Sequence, residues 1–224
     1  GDRVIFGKMQ RTGTVRALGQ KGVAAIVLAA SGFAEVDQMG EALQGELNAA
    51  IKESGARVIG PNTTGHVSTP ANFTSSFFPL GKVPRGHISY ITQTGNFCGI
   101  SLRHIMSAEN YGVCRIAGLG NKADLDESDM LDYLGNDEQT ESIFLYLESI
   151  KDPKRFLRIA RRVSRDKPVV MLKGGASVEG ARAAVAHTGS LAGDGRVIDG
   201  ALEQAGVTRI HKYSQLFHVA KALA

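Results

Sequence analysis

The chain has 224 residues, 43% of them hydrophobic and 21% charged, with a formal net charge of +4 at pH 7. The basic excess is scattered and Trp is absent, so neither a phosphate-tracking stripe nor a base-stacking platform is expected, and nucleic acid is excluded as a partner class. No apolar run approaches the roughly 20 residues of a membrane span, no signal peptide is visible, and the two cysteines, Cys98 and Cys114, suit a reduced, cytoplasmic setting. No His/Cys cluster has metal-ligand spacing. The length stands between one domain and two. The start, Gly1-Asp2-Arg3, has no initiator Met, which predicts a fragment or processed piece.

In chain order, Arg3–Phe6 is a short β-type run and Thr14–Gln20 is long enough for a short helix. Val23–Ala30 is a continuous apolar run, the pattern of a strand buried on both faces. From Val36 to Ser54, Met39, Leu43, Leu47 and Ile51 fall four apart, which predicts one apolar stripe of an amphipathic helix. Arg57–Ile59 is a strand that Gly60-Pro61-Asn62 ends. Residues 1–66 therefore predict β-α-β-α-β, half of a doubly wound parallel sheet. Residues 67–86 lack periodicity and hold Pro70, Pro79 and Pro84, which predicts a linker. The domain expectation is 1–80 and 81–224.

The second half repeats the rhythm. Strands are predicted at His87–Ile91, Val113–Ala117, Ser142–Leu147, Pro168–Leu172 and Val207–Ile210. Helices are predicted at Phe97–Met106, around Met130–Leu134, from Asp152-Pro153 to about Ser164, at 179–186, from Asp194 to near Gly206, and after Ser214. Asp followed by Pro is a strong helix start, because the carboxylate caps free N–H groups and Pro needs none. Alternation at this spacing predicts a parallel sheet.

Ligands of open parallel sheets bind beyond the carboxyl ends of the strands. Thr94-Gly95-Asn96, Gly120-Asn121, Glu148, Lys173-Gly174-Gly175 and, one helix later, Ala186-His187-Thr188-Gly189-Ser190-Leu191-Ala192-Gly193 fall at such ends. Small residues let backbone approach an anion closely, and their hydroxyls and amides, those of Gly189 and Ser190 included, can donate to phosphate oxygens. Two readings of the last stretch fit: His187 is a nucleophile that carries a phosphoryl group, or the stretch is a Gly-rich turn with an incidental His. Thr94-Gly95-Asn96 is either a phosphate-binding helix start or an ordinary capped turn. Glu148 is either a solvated carboxylate or, if adjacent in the fold, the partner that fixes the tautomer of His187 and stabilises the charge formed on attack. P-loop, nucleophile-elbow and dinucleotide fingerprints are absent.

Taken in order, Gly60-Pro61-Asn62, Thr92-Gln93-Thr94-Gly95-Asn96, Gly118-Leu119-Gly120-Asn121, Tyr146-Leu147-Glu148 and the His187 stretch resemble the ADP-forming acyl-CoA synthetases, relatives of the succinyl-CoA synthetase alpha subunit. The resemblance runs from about residue 20 to the end. It implies a partial Rossmann-like CoA-binding domain followed by a flavodoxin-like domain. It also implies interconversion of acyl-CoA, phosphate and ADP with a carboxylic acid, CoA and ATP, through an acyl phosphate and a phosphohistidine. His187 maps onto the phosphohistidine and Glu148 onto its carboxylate partner. Thr94, Gly95 and Asn96 map onto the phosphate-binding helix start. Ala30, Ser31, Gly32, Pro61 and Asn62 map onto CoA-binding turns. The family's first strand and Gly-rich turn are not found before Arg3. ATP/ADP and Mg2+ belong to an ATP-grasp subunit or fused domain outside this sequence, and an oligomeric assembly is implied. The alternative is a non-catalytic CoA-binding relative with a regulatory role.

Overall fold

A computed structural model describes residues 11–76, 78–95, 97–174 and 195–224. The expected strand at Arg3–Phe6, the helix at 179–186, Asp194 as an N-cap and the His187 stretch lie outside them. The chain divides into two units: residues through Thr63 together with Leu119–Asp126, and Thr64–Gly118 together with Glu127–Ala224.

The first unit holds helix α1 (Arg11–Gln20), strand β1 (Ala25–Val27), helix α2 (Gln38–Ser54) and strand β2 (Arg57–Ile59). β1 and β2 pair in parallel, Ile26 opposite Val58. The apolar run Val23–Ala30 thus forms only a short strand, whose first residue, Ala25, is exposed. Asp37 caps α2 by accepting the Gly40 N–H at 2.8 Å, and Gly55, left-handed at φ 68°, closes it. α2 buries Gly40, Leu47, Ala50 and Ile51, while Met39 is 75% exposed. The four-residue stripe fails at its start for a geometric reason. Four residues advance about 40° past a full turn, so Met39 has rotated off the face that carries Ile51.

Leu119–Asp126 comes from the middle of the chain and pairs with β2. Leu125 N–H donates to Val58 O at 3.0 Å, Ala123 N–H to Gly60 O at 2.9 Å and Asn121 N–H to Pro61 O at 2.9 Å. Asp124 accepts the Val58 N–H at 2.8 Å and the Arg57 guanidinium at 2.9 Å. Side-chain and backbone bonds together hold this distant segment in place of a third strand.

The described residues of the second unit form a seven-stranded sheet. Its strands are β3 (His66–Ser68), β4 (Phe73–Thr74), β5 (Arg85–Thr92), β6 (Val113–Gly118), β7 (Ser142–Leu147), β8 (Val169–Lys173) and β9 (Thr208–Ile210), in the order β4-β3-β6-β5-β7-β8-β9. The five from β5 onward are parallel. β3 runs antiparallel to both β4 and β6. Residues 67–86, expected as a linker, therefore hold part of a hairpin that extends the sheet, and the sheet is mixed rather than wholly parallel. Short strands of this kind escape a two-residue period.

A helix, α3, spans 97–109, with π-helical turns at Phe97–Ser101 and Ile105–Glu109 around a single α turn. The other helices among the unit's described residues are α4 (Glu127–Gly135), α5 (Pro153–Val163), α6 (Gly195–Gln204) and α7 (Gln215–Ala222). Asp152 caps α5 as expected, accepting the Arg155 N–H at 3.0 Å. Ser214 stands at the N-cap of α7 but its side chain makes no capping bond; the Leu216 and Phe217 N–H groups donate to the Tyr213 and Ser214 carbonyls, each at 3.1 Å. The central strands are buried on both faces, and Tyr90, Phe97, Leu102, Ile105, Phe144 and Leu216 form the heart of the core.

Candidate active site

Numbered within the second unit, the parallel strands β6-β5-β7-β8-β9 read second, first, third, fourth, fifth. That is the flavodoxin-like doubly wound order, whose ligand crevice opens where the chain reverses direction across the sheet. Here the reversal lies between the carboxyl ends of β5 and β7. Gln93, Thr94 and Gly95 leave β5 at that point, Glu148 and Ser149 leave β7, and Lys173 and Gly174 close the neighbouring β8.

These ends are tied together. The Gln93 carboxamide oxygen accepts the backbone N–H of Glu148 and of Ser149, each at 3.0 Å, while its nitrogen donates to Ser149 Oγ at 3.1 Å. Gln93 N–H donates to Tyr146 O at 2.9 Å, and Gly174 N–H to Leu147 O at 2.8 Å. Lys173 Nζ bridges the carbonyls of Glu148 and Gly174, both at 2.6 Å. It therefore braces the two strand ends with its ammonium. Thr64 Oγ1 donates to Gly95 O and fixes the turn before α3.

Glu148 is partly buried beside Gly174, where an added Cβ would lie 3.4 Å from both Glu148 Cγ and the Tyr146 hydroxyl. Burial, and then the charge of Glu148, push the Tyr146 phenol up to about 12, so it is protonated at neutral pH. Thus Thr94, Gly95 and Glu148 stand on adjacent strand ends as expected. Asn96, His187, Gly189 and Ser190 lie outside the described residues. Among the described residues no group of three or more His, Cys, Asp or Glu side chains is placed to hold a metal ion, and no helix is long and apolar enough to cross a membrane.

The remaining candidates gather in the first unit. Asn62 N–H donates to Ala30 O at 2.8 Å and so joins the turn after β1 to the turn after β2. Asn62 Nδ2 donates to Asn121 Oδ1 at 3.3 Å. Ala30, Ser31 and Gly32 thus stand with Pro61, Asn62 and Asn121, and Gly120-Asn121 belongs here rather than with Glu148. Gly120 is left-handed at φ 58°, and an added Cβ would lie 1.9 Å from Pro61 O. Glu35 binds the whole cluster, accepting the Gly32 and Phe33 N–H groups and the Asn121 carboxamide. Burial pushes its carboxyl up, but those hydrogen bonds outweigh it and hold it below the usual carboxylate range.

The sequence assigned no role to Gln93, Tyr146 or Glu35. Tyr146 had a signal: it lies two residues before Glu148 on a strand, where alternation puts both on one face. Gln93 stood within the Thr92-Gln93-Thr94-Gly95-Asn96 motif, while Glu35 had no signal short of the fold.

The fold and strand-end site define a doubly wound, flavodoxin-like ligand-binding unit. A family described as "Succinyl-CoA ligase like flavodoxin domain" matches residues 85–223, and the chain belongs to that family. It is 39% identical over 206 residues to the alpha subunit of ADP-forming acetate–CoA ligase I of Pyrococcus furiosus, a match covering 92% of this chain and 44% of the relative. It is 34% identical to the ADP-forming 4-hydroxybutyrate–CoA ligase of Nitrosopumilus maritimus, covering 92% of this chain and 30% of the relative. Among solved structures, acetyl-coenzyme A synthetase 1 of Ca. Korarchaeum cryptofilum, in complex with phosphate and ADP, superposes with a TM-score of 0.91 at 36% identity, covering 99% of this chain and 48% of that one. The chain spans less than half the length of these relatives.

Proposed function

We propose that this chain is part of an ADP-forming acid–CoA ligase and carries its CoA-binding turns and its phosphohistidine. The observation that carries this reading is the Glu148 carboxylate at the sheet's reversal point, with the Gln93-Thr94-Gly95 turn tied to the same strand end. The similarity to ADP-forming ligases over most of the chain supports it.

In the ATP-making direction, phosphate oxygen attacks the thioester carbonyl of an acyl-CoA, giving an acyl phosphate and CoA thiol. The imidazole of His187 then attacks phosphorus, the P–O bond to the acyl carboxylate breaks, and the free acid leaves. The phosphoryl group finally passes from His187 to ADP. Glu148 acts on the imidazole: its charge stabilises the cationic ring formed on attack and holds the proton on the far nitrogen. The turn at Thr94 and Gly95 opens onto the start of α3, whose free N–H groups suit phosphate oxygens. CoA is assigned to Ala30, Ser31, Gly32, Pro61 and Asn62. Nucleotide and Mg2+ are assigned to an ATP-grasp subunit or fused domain, as the resemblance to the ADP-forming ligases implies.

The test is to incubate the full-length enzyme, with its ATP-grasp part, with γ-labelled ATP. The reading expects an acid-labile, base-stable protein label, absent from His187→Ala and formed slowly by Glu148→Gln. Label persisting in His187→Ala would overturn it. A panel of carboxylic acids with ATP and CoA, followed by ADP release, then identifies the acid.

A further inference from the structure

Tyr146 is placed by the core and faces the site. On β7, Phe144 and Tyr146 lie on one face and Leu145 and Leu147 on the other. Phe144 is fully buried, whereas Tyr146, nearer the open end of the strand, is only partly so. Its ring meets Tyr213 edge-on, with centroids 5.6 Å apart and planes at 76°. Tyr213 is held in turn by the Ser101 hydroxyl at 2.7 Å and by an edge contact with Phe217 at 5.5 Å. Two other elements, α3 and α7, therefore set where the Tyr146 ring stands.

Its hydroxyl is treated differently from the neighbouring phenols. Tyr90 and Tyr111 bond each other at 2.5 Å, and Tyr213 bonds Ser101. Among the described residues the Tyr146 hydroxyl has no hydrogen-bond partner. It points to the cradle at the β8 end, where a Cβ on Gly174 would sit 3.4 Å from it and 3.4 Å from Glu148 Cγ. A glycine at that position leaves open the space that the hydroxyl and the Glu148 side chain share.

We propose that the Tyr146 hydroxyl is a catalytic hydrogen-bond donor that grips a phosphoryl oxygen beside Glu148. The inference rests on the ligase reading above. A phosphoryl group brought to a carboxylate meets like charge, so the same place must supply donors. Glu148 has none to give when ionised, and Lys173 directs its ammonium to two backbone carbonyls. The phenol stays protonated and stands within the shared cradle, so it supplies a donor beside Glu148 without adding a charge that would quench that carboxylate.

The experiment uses the full-length ligase with its ATP-grasp part and compares wild type with Tyr146→Phe, which keeps the ring contact to Tyr213. Phosphorylation by γ-labelled ATP is timed. In the acyl-CoA direction, KM is measured for inorganic phosphate and for acyl-CoA. The expected result is a loss of about tenfold or more in phosphate KM, in the phosphorylation rate, or in both, as for one hydrogen bond to a charged group, with acyl-CoA KM and Tm unchanged. Wild-type values for phosphate KM and phosphorylation rate in Tyr146→Phe would overturn the proposal. So would a lowered Tm with phosphate and acyl-CoA KM shifting together, which assigns Tyr146 to packing. A wild-type enzyme that takes no acid-labile label overturns the ligase reading itself, and is thereby told apart from failure of the Tyr146 proposal alone.

Discussion

One carboxamide oxygen, that of Gln93, accepts the backbone N–H groups of both Glu148 and Ser149 at 3.0 Å. Those two N–H groups belong to the residues that follow the last residue of β7. Gln93 thus does for the strand end what a ladder would do, and it fixes the backbone from which the Glu148 carboxylate projects. Gln93→Leu keeps the volume but removes the acceptor of both bonds. It should cost about 1–3 kcal/mol of stability, read as a lower urea midpoint with unchanged slope. It should also slow phosphorylation of the full-length enzyme more than it raises KM for acyl-CoA. Wild-type phosphorylation in a destabilised Gln93→Leu would show that the clamp serves stability alone.

Much of the second unit was legible because its signals are local. Asp152-Pro153 marks a helix start by its own chemistry, and Ser142–Leu147 is an apolar run bounded by polar residues, so both were placed within a residue of their observed ends. The antiparallel hairpin was not, since β3 and β4 are too short to show a period and prolines crowd the segment after them. Nor was the membership of Leu119–Asp126 in the first unit. Pairing with β2 depends on hydrogen bonds across a long stretch of sequence, such as Asp124 to Val58, which no window of neighbouring residues contains. At the site, Glu148 stood out as a charge closing an apolar strand. Tyr146 was quoted only within the Tyr146-Leu147-Glu148 motif and given no role, because its ring position depends on Tyr213 from another part of the chain.

Asp137 predicts an acid-sensitive fold. Arg115 grips its carboxylate with two nitrogens, at 2.8 and 2.9 Å, and Thr140 Oγ1 donates at 2.6 Å. The Arg115 bonds, and then the Thr140 bond against the cost of burial, hold the carboxyl at about 2, below its ordinary 3.8. A folded value below the unfolded one gives stability that is complete above about pH 4 and is lost as pH falls through about 2. With the side chain only 10% exposed, the linkage is worth about 2 kcal/mol. Urea midpoints from pH 5 down to 2.5 should fall more steeply for wild type than for Asp137→Asn. Parallel curves would remove the ion pair from the account.

His66 acts in the next window up. Burial drives its imidazole down to about 4, against a smaller opposing effect of the Gly118 carbonyl. The folded chain therefore prefers the neutral ring, and the unfolded chain takes up the proton first, near pH 6.5. Stability from this group is full above about 6.5 and is lost as pH falls toward 4, with a limiting slope of about one proton. Replacing the ring by a group that does not titrate, His66→Asn, should flatten stability between pH 6.5 and 4 while leaving the lower window of Asp137 in place. An unchanged slope in His66→Asn would mean that the ring is charged in the folded state.

Two glycines of the first unit should respond to alanine with opposite signs. Gly120 has φ 58°, and a methyl group there would lie 1.9 Å from Pro61 O and 2.8 Å from Asn62 O. The turn after β2 would have to move, so Gly120→Ala should cost about 1–3 kcal/mol from backbone strain, with the clash at Pro61 O adding to it. Because the displaced turn carries Pro61 and Asn62, it should also weaken CoA binding, measured by titration calorimetry on the full-length enzyme. Gly45 lies within α2, exposed, with nothing within 4 Å of an added Cβ. There alanine only removes freedom from the unfolded chain and improves helix propensity, so Gly45→Ala should raise stability by about 0.5–1 kcal/mol with CoA affinity unchanged. If Gly120→Ala kept both the urea midpoint and the CoA affinity of wild type, the packing of Leu119–Asp126 against the β2 turn would not be what shapes that site.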